Sequence, residues 1–167
     1  MQKALNEITA SIEKFMKAMD ETEEKIKKID EELKALRKEL EPLEVEILEI
    51  SSKLREVEHK LHQKLNKVKR VRKLYLSAAQ TDRQLQMYEK DYDQLMKEIH
   101  KLDKEYAKLK EKYEKLVSKE EKLLRKEFDL EEKKAKLYNQ REALMRHAQG
   151  VMNKLSSKIN RTRNPQI

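Results

Sequence analysis

The sequence predicts an all-α protein: one long coiled-coil helix, or two long helices with a bend or hinge near residues 77–82. Three observations predict it. Apolar residues recur every three or four positions from Leu5 to Leu61, 43% of the 167 residues are charged, and the chain holds one Gly and two Pro. A mean spacing of 3.5 residues keeps a narrow apolar seam on one side of a slightly underwound helix. High charge with that period is the composition of a coiled coil. Many-element folds draw their turns from Gly, Pro, Asn and Asp, and so little Gly and Pro cannot supply them. Lysine- and glutamate-rich chains are often disordered, but a disordered chain has no reason to space Leu and Ile by threes and fours.

The first segment, 1–61, carries the repeat with Leu5 at position a and Ile8 at position d; 16 of its 17 seam sites are apolar, Thr22 being the exception. Its best-defined stretch is Leu33, Leu36, Leu40, Leu43, Ile47, Ile50 and Leu54. One straight helix cannot bury its own seam, so the seam calls for other helices, in a homo- or hetero-oligomer. In a parallel pair, Lys25–Asp30, Glu32–Arg37 and Lys53–Glu58 would attract and Glu39–Glu44 would repel. Such exposed pairs are worth a few tenths of a kcal/mol each, so the segment leans parallel. Pro42 lacks the amide hydrogen a helix interior needs and predicts a kink, while Leu40, Leu43 and Ile47 stay in phase around it.

Residues 62–81 form a basic segment. Leu61, Leu65 and Val68 read as a four-residue stutter, and Ser77-Ala78-Ala79-Gln80 offers little to pack. Thr81 three residues before Gln84 predicts a capping box and a fresh helix start. The absence of Gly and Pro at this junction favours a continuous or bent helix over a folded-back hairpin. A continuous helix over most of the chain would exceed ~200 Å.

The second segment, 82–150, has its seam at Leu85, Tyr88, Tyr92, Leu95, Ile99, Leu102, Tyr106, Leu109, Tyr113 and Leu116. Beyond Leu116 the a sites turn charged (Glu120, Glu127, Lys134, Arg141), while a neighbouring e stripe turns apolar (Val117, Leu124, Tyr138, Met145, Met152). A widened face suits more than two helices. The g charges run from acid (Asp91, Glu98, Glu105) to base (Lys112, Lys119, Lys126), an order that favours antiparallel pairing. Residues 151–167 read as a basic, frayed tail, with Gly150 as a C-cap and Asn164-Pro165 as a stop.

The net charge of +8 sits in patches. Residues 1–58 hold 11 basic and 16 acidic groups, 59–81 hold seven basic and no acidic ones, and 143–167 hold five basic and none acidic. The cluster Lys64, Lys67, Lys69, Arg70, Arg72 and Lys73 is the candidate for an anionic partner: an acidic protein surface such as a microtubule, nucleic-acid phosphates or anionic lipid. No apolar run approaches the ~18 residues of a membrane span, so integral membrane insertion is not expected. The absence of Cys removes disulfides and thiolate metal sites and fits an intracellular, cytoplasmic or cytoskeletal setting. His59 and His62 could share a metal on one helical face, but two histidines without a third ligand make a weak site. No phosphate loop, nucleophile elbow or metalloprotease signature is present, and no cofactor is implied. Catalysis needs a water-poor pocket, so an enzyme is not expected. The heptad begins almost at once, as expected of a piece of a longer protein. The chain resembles the coiled-coil scaffold and spacer segments of cytoskeletal, ciliary, centrosomal and chromosome-associated proteins. That resemblance rests on heptads alone. It implies a structural scaffold, spacer or adaptor, or alternatively a nucleic-acid-associated rod in chromosome organisation or recombination.

Overall fold

The computed structural model describes residues 2–77 and 79–163, with the side chains of residues 162 and 163 left aside. It contains two helices, α1 (Gln2–Tyr75) and α2 (Asp82–Arg163). The fold is all-α, two long helices separated at the expected hinge. The stop at Asn164-Pro165 lies outside the described residues.

The junction corrects the preference for a continuous helix. α1 closes with Leu76 N–H donating to the Arg72 carbonyl (3.0 Å) and Ser77 N–H to that of Leu74 (3.3 Å). α2 then opens on the expected capping box. Thr81 N–H donates to Gln84 Oε1 at 3.1 Å, and Gln84 N–H returns to Thr81 Oγ1 at 3.3 Å. Side chains replace Gly and Pro in holding the turn. Ser77 Oγ donates to the Leu74 carbonyl, Gln80 Nε2 to Ser77 Oγ, and Tyr88 OH to Gln80 Oε1. Asp82 in the first turn of α2 and Arg72 and Lys73 in the last turn of α1 oppose the partial charges of the helix ends.

Two units are distinguishable, Glu39–Lys122 and Met1–Lys38 with Leu123–Ile167. In the first, the second half of α1 folds back on the first half of α2. Tyr75 OH donates to Glu89, Lys64 pairs with Glu98, and Tyr106 OH donates to Glu58, an antiparallel order. The core of this unit is Leu40, Leu43, Ile50, Val57 and Ile99. Each buried Leu or Ile contributes roughly 1.5–3 kcal/mol by leaving water. In the second unit, Arg37 meets Glu127 at 3.2 Å and Lys134 pairs with Asp30, again antiparallel. Thr22, Ile26 and Leu123 are its buried residues. Thr22, the one polar seam site, returns its hydroxyl to the Ala18 carbonyl at 2.8 Å, which lets it sit in a dry seam.

The seam of α1 therefore meets α2 of the same chain and not a parallel second helix. α1 also runs through Pro42, which faces solvent between buried Leu40 and Leu43. The spacing read as a stutter resolves differently. Leu65 is 46% exposed, while Leu61, Lys64, Val68 and Val71 are half-buried, so the 3-4 rhythm continues with Lys64 taking a d site. Gly150 lies inside α2 without a positive φ, so it is not a C-cap.

Candidate functional site

The seam residues divide between the two units. Leu40, Leu43 and Ile50 are buried and Ile47, Leu54, Leu95, Leu102, Leu109 and Leu116 half-buried in one; Leu33 and Leu36 are half-buried in the other. Those of α1 lie on its seam toward α2, and those of α2 on its seam toward α1. They are fold residues first, and the surface left for partners lies elsewhere.

The basic segment sits on α1 beside the turn. Lys64 differs from the rest: its Nζ lies 2.7 Å from Glu98 Oε2 across the helix pair. The Lys64 ammonium, helped by the Gln94 amide, holds the Glu98 carboxyl below its usual range, with Lys67 acting at longer distance. Lys69, Arg70, Arg72 and Lys73 are exposed, and none forms an ion pair among the described residues. They line a shallow pit of about 320 Å³ together with Leu76, which is 70% exposed. Leu74, Tyr75 and Met87 are exposed around the same end. The 70–76 heptad turn thus shows solvent both cations and apolar side chains, an arrangement that cation-counting along the sequence misses. The signal available was Leu74-Tyr75-Leu76, three large apolar residues in a row at a helix end.

A cleft of about 470 Å³ adjoins this face, lined by Val68, Val71, Tyr75, Tyr88 and Tyr92 with Arg72 and acidic Glu89 and Asp93 at its border. Val68 and Val71 of α1 stand opposite Tyr88 and Tyr92 of α2. A buried tyrosine hydroxyl needs a polar partner, and one seam tyrosine elsewhere finds it on α1. Tyr106 OH donates to Glu58 at 3.0 Å, and that hydrogen bond to a carboxylate raises the phenol's pKa. His59 Nε2 lies 3.2 Å from the Gln63 amide nitrogen.

Two of the charged a sites of α2, Glu127 and Lys134, find partners on α1. Glu127 takes Arg37 through Oε1, while its Oε2 is buried with no hydrogen-bond partner. Asp30 raises the pKa of Lys134, and Tyr138 is approached by Lys134 (5.7 Å) and Arg141 (5.3 Å) over its ring. Glu120 and Arg141 are likewise half-buried. The apolar e stripe is left outside: Leu124 is 40%, Tyr138 38%, Met145 47% and Met152 60% exposed. Phe128, on the neighbouring b stripe, is 68% exposed. No helix in the described residues is long and apolar enough to cross a membrane. Compared with known proteins, the chain matches no family model, no curated protein and no solved structure.

Proposed function

We propose that the chain is a non-enzymatic structural adaptor, a helical scaffold or spacer that pairs with partner helices in an assembly of the cytoskeletal, ciliary or centrosomal kind. One observation carries this reading. After α1 has met the a and d sites of α2, the e positions Leu124, Tyr138, Met145 and Met152 stay in water, with Glu131 between the first two. Water offers no reason to place large apolar residues at three successive e positions, whereas a further helix laid along α2 does. The basic face is the second contact of the adaptor and takes an anionic surface.

The test is recovery of the full chain with its native partners, in parallel with the double variant Met145→Asp, Met152→Asp. Both residues are exposed, so the variant's own helicity and melting should match the parent. The expected result is loss of a defined helical partner from the variant alone. An unchanged set of partners would remove the stripe from the account and this reading with it.

A further inference from the structure

The basic face of α1 and the apolar residues at its end have one feature in common: the helix bond pattern does not need them. Among the described residues Lys69, Arg70, Arg72 and Lys73 form no ion pair, and Leu76, set among them, is 70% exposed. Leu74 at 45% and Met87 at 58% extend the apolar part. An acidic protein polymer or a nucleic-acid duplex would satisfy the cations but leave Leu74, Leu76 and Met87 in water. A lipid surface takes both at once, because its phosphates and carboxylates lie above an apolar layer into which leucine and methionine side chains can dip. Binding of such a surface grows with buried apolar area and with attraction to anionic lipid together. The geometry points to a second kind of partner for this adaptor: we infer that the turn end of the Glu39–Lys122 unit docks on an anionic membrane surface, Lys69, Arg70, Arg72 and Lys73 meeting headgroups and Leu76 the acyl boundary. The inference rests on the reading of the basic face as a docking contact and names what it docks on.

Contact is peripheral and reversible. One or two leucines and a methionine insert only to the depth of the headgroup boundary, and the cations hold the remainder through a screened field. High salt should therefore weaken binding without abolishing the apolar part.

The experiment is co-sedimentation of the full chain with three probes: vesicles of phosphatidylcholine with about 30 mol% phosphatidylserine, duplex DNA, and microtubules, with pure phosphatidylcholine vesicles as reference. The expected result is binding to the anionic vesicles at least about tenfold tighter than to the neutral ones. Lys69→Glu with Arg70→Glu should remove that preference. Leu76→Asp should weaken anionic-vesicle binding about tenfold while leaving the circular dichroism spectrum unchanged, since a mostly exposed residue is replaced. Met87→Asp serves as a second apolar probe on α2. Anionic-vesicle binding that is indifferent to both Leu76→Asp and Met87→Asp overturns the inference, because charge alone would then explain it. Binding to DNA or microtubules but not to vesicles also overturns it, while leaving the basic face a docking contact. Binding to none of the three overturns both.

Discussion

Leu40 and Leu48 show how little of a residue's role lies in its chemistry. Both are leucines of α1, yet Leu40 is wholly buried and Leu48 is 70% exposed. Leu40→Ala is expected to lower stability by about 2–5 kcal/mol through lost transfer energy and a cavity, and Leu48→Ala to stay within about 0.5 kcal/mol. Urea unfolding of the two variants checks this. Charge at single residues sets a pH window. Glu98 is held below its usual pKa by Lys64, so its contribution is present above the ordinary carboxylate range and is lost as pH falls through the lowered value. Lys134 is raised by Asp30, so its contribution is present below the ordinary lysine range and is lost as pH rises through the raised value. Melting temperature should therefore hold across neutral pH and fall at both ends. Glu98→Gln should flatten part of the acid limb, as thermal scans from about pH 3 to 7 would register.

At the scale of elements, the seams and the start of α2 were legible in the sequence, because heptads and capping boxes are local patterns. Leu33 to Leu54 and Leu85 to Leu116 lie where their spacing placed them, apart from Tyr92, which is 42% exposed beside the open cleft. The partner of each seam was not legible, since Leu and Ile pack equally well against a helix of the same chain or another. The turn was hidden because hydroxyl and amide side chains, not Gly or Pro, hold it. The basic cluster could be named, but not that Lys64 would be engaged with Glu98 while Lys69, Arg70, Arg72 and Lys73 form no ion pair among the described residues. A cross-helix clue did exist. Asp30 and Arg37 on α1 read backwards against Lys134 and Glu127 on α2, two opposite-sign pairs in antiparallel order. The cap offers the sharpest element-level prediction. Thr81→Ala removes the acceptor for Gln84 N–H and should cost about 1 kcal/mol, with Thr81→Ser largely restoring it, in denaturant titrations.

For the whole molecule, the decisive property is that the helix pairing is internal. A chain carrying cysteines at positions 30 and 134 should oxidise to a species of monomer mass, and the yield should be insensitive to dilution because closure is unimolecular. The pair 64 and 98 makes the same test in the other unit. Dimer-mass products that vanish on dilution would mean that the seams close between chains. Internal closure also gives the chain a division of labour. Its a and d sites hold the fold, so the e stripe of α2 and the cations of α1 can change without unfolding it.

The turn held by Ser77, Gln80, Thr81 and Gln84 gives the chain a direction in time. Tyr75 and Glu89 are 14 residues apart in sequence, Glu58 and Tyr106 48, and Arg37 and Glu127 90. Loop-closure entropy rises with each of these spans, so contacts next to the turn form at the least cost and shorten the loop for the next. The pairing should zip outward and unzip inward. Leu5 and Ile12, seam sites far from the turn in sequence and 61% and 45% exposed, are expected to open first. Amide hydrogen exchange under native conditions should record this as a gradient, with slow exchange around Leu40 to Val57 and progressively faster exchange toward Leu5.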